Sequence, residues 1–338
     1  MDPDIRSALT ELDDLSGADA ATLDDLAARL TVRRYPSGAP LLTEGDAGRH
    51  FVIVVNGTVE VTRTASRTGD PERVASGGPG SIFGELSTIT GEPRRATVTA
   101  ATAVVALHGE LDAFDVLIAI PGILDRMVDV ATQRLAEIAR PVPARLRDDT
   151  DVLVRPLLAR DRERFARALA RQSEDWRHRR FFSAMKPSAA LVEYLVHVDY
   201  VDHFAWVVGQ SEPLVGFGTA RFIRSRTEPN VAEIAFEVED SWQNKGIATL
   251  LLGALGAAAA RLHIDTFRAE VLYENRPMRT VMNKAGAQWE HAETGVMETR
   301  FAAEATRRLI PTAAWDGLGD VAEEVGEIAG LALWKGVV

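Results

Sequence analysis

Cysteine is absent from the 338 residues. That excludes disulfides, Cys-ligated zinc, iron–sulfur clusters and thiol catalysis, and it fits a reducing compartment, so a cytoplasmic location is expected. Lysine is scarce. The 38 basic residues are Arg except for Lys186, Lys245, Lys284 and Lys335, a bias that a GC-rich genome explains and from which no function is read. Long hydrophobic runs are missing too. The longest, residues 247–260, spans 14 residues, short of the ~20 that a membrane-spanning helix needs, so it reads as a buried helix. The opening Met1-Asp2-Pro3-Asp4 has neither the basic nor the apolar region of a signal peptide. Positive charge is outnumbered by negative, with a net charge of -11, which argues against a general grip on nucleic-acid phosphates. What remains is ordinary globular material, 46% apolar and 26% charged, and long enough to bury two cores.

The texture changes along the chain. Residues 5–30 carry Leu9, Leu12, Leu15, Leu23, Leu26 and Leu30 at three-to-four spacing with acids between them, which predicts helix. From Tyr35 short β-type runs alternate with Gly, Pro and Asn, the pattern of a sandwich or barrel. A helical pattern returns at Ile123 to Ile138. Residues 140–150, with two prolines and several charges, read as a linker. Beyond it α and β alternate: a strand at 152–154, a charged helix at 159–172, a helix running into a strand at 191–197, strands at 204–208, 216–222 and 231–239, a long helix at 246–262, a strand at 266–272 and a helix at 278–285. The tail from 302 to 338 reads as mostly helical.

Two stretches carry chemistry. Residues 83–98 read FGELSTITGEPRRATV. Gly84 permits close backbone approach where a short helix opens, and the free N–H groups of that turn suit an anion. Ten residues on, Arg94 offers a guanidinium suited to phosphate oxygens. Glu85 beside an anion site makes sense if the same ligand also brings a hydroxyl donor, as a sugar phosphate does; the other reading is an internal Glu85–Arg94 salt bridge in an empty domain. The segment resembles the phosphate-binding cassette of cyclic nucleotide-binding domains, F-G-E-L followed by P-R-x-A-T, and residues 44–61 resemble the strand–turn–strand that precedes it. The resemblance covers about residues 15–140. It implies that Glu85 takes the ribose hydroxyl and Arg94 the cyclic phosphate, helped by the backbone N–H groups of Gly84, Glu85, Leu86, Ser87 and Ala96. Arg95 stands where many members have a small residue, and Thr or Ser there goes with cGMP preference. Arg95 therefore leaves the choice of base open and is a candidate second cation.

Residues 230–251 read NVAEIAFEVEDSWQNKGIATLL. A strand ends near Glu239, a tight turn follows, and a long apolar helix opens at Gly246. Its first N–H groups converge on one point, which suits a pyrophosphate. Gln243-x-x-Gly246-x-Ala248 at a strand–turn–helix resembles the acyl-CoA signature of GNAT acyltransferases, and residues 274–278 resemble that family's Asn-containing turn. The likeness spans about 150–305. It implies that Gln243, Asn244, Lys245, Gly246, Ala248 and Thr249 cradle acetyl-CoA, that backbone groups of Phe236 and Val238 hold the pantetheine arm, and that Asn275 lines the cleft. Residues 174–186 and 198–201 resemble bacterial protein lysine acetyltransferases within GNAT. A lysine ammonium, pKa about 10.4, lies roughly 4.6 kcal/mol from its neutral form at pH 7. The transfer thus needs a base, and a carboxylate acting through a water can supply it. Glu233 matches the position of the GNAT catalytic glutamate, with Glu237 and Glu239 as alternatives, and the Val238 N–H is placed to polarise the thioester. The tyrosine that often acts as general acid is missing from the helix after Asn275.

The expectation is a two-domain α+β protein: a cyclic nucleotide-binding β-roll with flanking helices (1–140), a linker (141–150), a GNAT α/β domain with a mixed central sheet (151–303) and a C-terminal helical tail (304–338), a candidate autoinhibitory lid. His178 is a second autoinhibitory candidate, able to take the acceptor lysine's place. Its domain order is similar to that of actinobacterial cAMP-dependent protein acetyltransferases. That similarity implies acetyl-CoA as cosubstrate, cAMP as activator relieving autoinhibition, and acceptor lysines on acyl-CoA synthetases or stress proteins. No metal, nucleic acid or membrane partner is expected, and a monomer is. The spacing of His197, Asp199, Asp202 and His203 fits no metal template and reads as a strand–turn–strand edge. Two alternatives stay open: a constitutive small-molecule N-acetyltransferase with a vestigial sensor, and a non-enzymatic acyl-CoA sensor. No basic helix-turn-helix follows the sensor, so a transcription factor is disfavoured.

Overall fold

β-branched and aromatic runs bounded by Gly turns produce the strands of the first half, and the side-chain period decides which faces are buried. The computed structural model describes residues 4–335 apart from 13, 14, 16, 65–70, 183–184 and 211–214. Met1 to Pro3, the residues 183–184 of the acceptor-side stretch and the last three residues of the tail therefore lie outside the described residues. The chain divides into two units, residues 1–138 with 330–338, and residues 139–329.

The first unit opens with α1 (Ile5–Thr10) and α2 (Ala20–Arg29), two short helices where one helical stretch was expected. Asp19 caps α2 by accepting from the Thr22 N–H, which sets its start. Then come β1 (Thr31–Tyr35), β2 (Pro40–Leu42), β3 (His50–Asn56), β4 (Val59–Thr64), β5 (Pro71–Gly77), β6 (Ile82–Phe83), α3 (Glu85–Thr90), β7 (Thr97–Ala100) and β8 (Val104–Glu110). They form two four-stranded sheets, β1-β8-β3-β6 and β2-β7-β4-β5. Between them lies a core containing Val52, Val54, Phe83 and Val98. α4 (Leu111–Ile118) and α5 (Ile123–Ile138) follow. Phe51, Ile53 and Leu107 face a second core with Phe114, Leu117, Ile123 and Met127. On α5 the buried Ile123, Met127, Ala131 and Leu135 recur every four residues, the spacing of one helix face.

The second unit is built on one eight-stranded sheet, with elements β9 (Val142–Arg145), β10 (Asp151–Pro156), α6 (Arg162–Arg171), α7 (Glu174–Phe181), α8 (Ala189–Val196), β11 (His203–Gln210), β12 (Val215–Arg224), β13 (Val231–Val238), α9 (Ile247–Arg261), β14 (Thr266–Leu272), α10 (Arg276–Asn283), β15 (Gln288–Glu293), β16 (Val296–Ala302) and α11 (Thr312–Lys335). The strand order is β15-β16-β14-β13-β12-β11-β10-β9. Only β13 and β14 run parallel, and they pair over just three residues, Val231 to Glu233 against Thr266 to Arg268. β12 stays paired with β13 as far as Val238. The two central strands thus part beyond Glu233 and open a V.

Residues 142–145 fall inside the expected linker but form the edge strand β9, paired with β10. An edge strand tolerates Pro143 because one side of it needs no ladder N–H. The helix expected to run into a strand at 191–197 instead stops at Val196. The chain then turns under Asp199, whose Oδ1 accepts from the N–H groups of Val201, Asp202 and His203 at 2.8 Å each. This stretch is therefore a helix–turn–strand. Among the described residues no cluster of three metal-ligating side chains occurs, and no helix is long and apolar enough to cross a membrane. The expected boundary at 303 does not coincide with a break in packing. Thr306, Trp315, Leu318 and Val325 are buried, and Ile310, Thr306 and Trp315 lie against Gly253 and Gly256 of α9.

Candidate functional site

In the first unit, β6 runs directly into α3 through Gly84, whose left-handed φ of 89° and tight surroundings both require glycine. A Cβ there would lie 2.5 Å from Arg94 Nη1 and 2.9 Å from the His50 carbonyl. Arg94 is 4% exposed. Its Nη1 donates to the Gly84 carbonyl at 2.8 Å and its Nη2 to the His50 carbonyl. Its Nε is buried without a hydrogen-bond partner among the described residues, a spare donor of the kind a phosphate oxygen accepts. Burial lowers the pKa of Arg94, with Glu85 and Asp46 opposing. Glu85 is 3% exposed. Burial pushes its carboxyl up while Arg134, and more weakly Arg94, pull it down.

The expected cassette residues Gly84, Glu85, Leu86, Ser87, Arg94, Arg95 and Ala96 line one cavity of about 80 Å³, closed on another side by Arg134 and Leu135 of α5. Arg95 pairs with Glu92 at 2.8 Å. Arg134 was not singled out in the sequence. It donates to Glu85 Oε1 at 3.1 Å and to the Ile82 carbonyl at 2.8 Å, and its guanidinium sits 4.4 Å from the Phe83 ring centre. A signal existed, because Arg134 stands seven residues after Met127 and beside Leu135, a charge on the face of α5 that is otherwise apolar. A larger cavity of about 460 Å³, lined by Ile123, Met127 and Val130, shares Glu85 and Arg134 as its wall.

In the second unit the cleft lies beside the V. It holds about 520 Å³ and is lined by Phe236, Val238, Gln243, Asn244, Gly246, Ala248, Thr249 and Asn275 from the expected set, with Arg147, Trp176, Arg179, Arg180 and Lys284 added. α9 starts at Gly246, φ 97°, with no side-chain cap, so its first-turn N–H groups have no partner within the helix and face the cleft. Trp176 Nε1 donates to the Val238 carbonyl at 2.8 Å. Asn275 caps α10 by accepting from Met278 N–H at 3.3 Å. Lys245 is not a lining residue. Its ammonium lies 4.2 Å above the Trp242 ring and 3.4 Å from Asp148.

The three carboxylates of β13 part company. Glu233 is exposed, opposite Arg268 in the register, and is the last residue before the strands separate; it is not among the cleft-lining residues. Glu237, 5% exposed, accepts from Arg180 Nε at 2.8 Å and from the Thr219 hydroxyl, and lies 3.6 Å from the fully buried Arg221. Burial alone pushes its carboxyl up, but Arg180, Arg221 and Thr219 outweigh this and hold it at about 2. Its burial and its hydrogen bonds from Arg180 and Thr219 make Glu237 a paired anchor in the sheet. Glu239 is half-buried, and burial raises its carboxyl. His178 is half-exposed, its Nε2 3.9 Å from Glu274, and lies outside the cleft-lining set, whereas Trp176, Arg179 and Arg180 of the same helix are within it.

Comparison with known proteins recovers both domains. The cyclic nucleotide-binding domain family matches residues 32–120, and the acetyltransferase (GNAT) domain family matches residues 151–288. Acetyltransferase Pat of Mycolicibacterium smegmatis is 36% identical over 297 residues, 88% of this chain and 89% of that protein. An acetyltransferase of Pseudomonas aeruginosa is 32% identical over 137 residues, 40% of this chain and 73% of that protein. A mutant of the cAMP-binding acyltransferase from Mycobacterium smegmatis superposes with a TM-score of 0.50 at 33% identity, over 96% of this chain and 97% of that one. The protein, a cyclic nucleotide-binding domain followed by a GNAT acetyltransferase domain, belongs to the family of the mycobacterial acetyltransferase Pat.

Proposed function

We propose that the protein transfers acetyl from acetyl-CoA to lysine ε-amines of proteins, and that cAMP bound in the first unit raises the rate. The observation that carries this reading is the presence in one chain of a complete cassette, with a spare buried donor on Arg94, and of an uncapped helix start facing a cleft beside parted strands. The first-turn N–H groups of α9 hold the pyrophosphate. The pantetheine arm runs along Phe236 and Val238 toward the apex of the V. Glu233 stands at that apex and, through a water, takes the proton as the amine attacks the thioester. The Val238 N–H polarises the carbonyl. The leaving thiolate, pKa near 8.5 for an ordinary thiol, needs no acid.

Regulation follows from the state of the sensor. Small-molecule sites run to roughly 300–1,000 Å³, and the cassette cavity holds about 80 Å³. Arg134 and Glu85 divide it from the cavity of about 460 Å³, so a nucleotide that spans both displaces Arg134 from Glu85. The ribose hydroxyl competes with Arg134 for Glu85, and α5 is freed. Three residues separate the end of α5 from β9. A tenfold activation requires cAMP to favour the active arrangement by about 1.4 kcal/mol.

The test is acetyl-CoA turnover on a lysine-bearing protein with no nucleotide, cAMP or cGMP. A rise with cAMP that Arg94→Ala abolishes supports the reading, and the cGMP lane assigns the base preference. Equal turnover in all lanes overturns the regulatory half, and no transfer to any amine overturns the enzymatic half.

A further inference from the structure

The turn between β9 and β10 is fastened to the loop that starts α9. Leu146 N–H donates to the Thr150 carbonyl at 2.9 Å and Asp149, with φ 60°, donates to the Leu146 carbonyl at 3.2 Å, so the turn is closed on itself. Arg147 N–H donates to the Lys245 carbonyl at 3.3 Å, and Asp148 holds the Lys245 ammonium. The Arg147 side chain then lies along Gly246: a Cβ on Gly246 would stand 3.2 Å from Arg147 Cγ and 3.6 Å from its Nε. Lys284 reaches the same place from α10, its Nζ 3.2 Å from the Thr249 hydroxyl. Both line the cleft. Among the described residues neither has a carboxylate within ion-pair distance. The ammonium of Lys284 is drawn down by burial and then by the Arg147 charge, so the two cations feel one another without an anion between them.

We infer that Arg147 and Lys284 grip a phosphate of acyl-CoA over the start of α9, so that the β9–β10 turn is part of the cosubstrate site. The inference rests on the acyl-CoA reading of the cleft and adds to it a cation supplied from outside the strand–turn–helix signature. Two cations and a helix N-terminus converging on one cleft suit a phosphate dianion or a pyrophosphate. The turn fixes the Arg147 backbone, and its planar fork loses less freedom per hydrogen bond formed than a lysine ammonium does.

Calorimetric titration of the full chain with CoA and with 3′-dephospho-CoA tests this, using wild type, Arg147→Gln, Arg147→Lys and Lys284→Gln. Arg147→Gln should weaken CoA about tenfold, the worth of a charge-assisted hydrogen bond at an exposed position. Arg147→Lys should fall between, and the weakening should shrink at high salt. With dephospho-CoA, a lost effect of Arg147→Gln assigns the contact to the 3′-phosphate and a retained effect assigns it to the pyrophosphate. In turnover, kcat with acetyl-CoA should hold while KM rises, and the kinetics with S-acetylpantetheine, which has no phosphate, should not change. Wild type that binds CoA and an Arg147→Gln variant that binds it equally well would overturn the inference alone, as would an equal loss with S-acetylpantetheine. Wild type that binds no CoA would overturn both this inference and the acyl-CoA reading.

Discussion

Replacing Glu237 with Gln removes what is, among the described residues, the only anion within ion-pair distance of Arg221, 1% exposed, and of the half-buried Arg180. Two routes give the size of the effect. Removing one partner of a buried ion pair typically costs about 3–5 kcal/mol, because the other charge is left uncompensated. Independently, a carboxyl held at about 2 rather than its ordinary 4.5 contributes about 3 kcal/mol, at roughly 1.4 kcal/mol for each pH unit. The sign is that of a depressed carboxyl. The contribution is complete above about pH 5 and is lost as pH falls from 4.5 toward about 2. Thermal and urea unfolding of wild type and Glu237→Gln at pH 7 should therefore differ by about 3 kcal/mol. In a unit of this length that is about 6–12 °C in Tm. The gap should fall to less than half by pH 3, since the other carboxylates titrate alike in both proteins. A gap under about 1 kcal/mol at pH 7, or one that does not narrow between pH 5 and pH 3, would refute the argument that Glu237 is an ionised anchor.

Two further outcomes follow from contacts already described. Arg134→Gln frees Glu85 from the ion pair that the ribose hydroxyl has to displace, so calorimetry should show cAMP binding roughly tenfold tighter; unchanged or weaker binding would count against the competition. Gly256→Ala places a methyl group onto Thr306 Oγ1 and 3.0 Å from the Ala303 carbonyl. It should lower stability by about 1–3 kcal/mol in a denaturant titration, and a neutral result would mean that residues 303–309 yield easily.

What could be read from the chain, and what could not, follows the range of the forces involved. The strand at 266–272 and the helix at 123–138 are set by local period. The uncapped start of α9 is set by Gly246 and its neighbours, all adjacent in sequence. The cassette was legible for the same reason: Gly84, Glu85 and Arg94 act within eleven positions. Arg134 lies 49 residues from Glu85, and Arg180 lies 57 from Glu237. No period or spacing links such pairs, only the packing of whole elements. Prolines oppose strand propensity, so residues 142–145 read as linker in the sequence, and their edge position overrides that preference. The tail's packing rests on Gly253 and Gly256, whose missing side chains make room for Ile310, Thr306 and Trp315; small residues leave no mark in a hydrophobic pattern.

The proposed displacement of Arg134 and α5 on nucleotide entry has a consequence in time as well as in affinity. A site that has to open before it fills admits ligand only during its open intervals, so capture runs below the rate of diffusional encounter in proportion to how rarely α5 stands aside. Release needs the same opening. A nucleotide once enclosed is therefore retained through brief dips in its free concentration, and the first unit averages its signal instead of following each fluctuation.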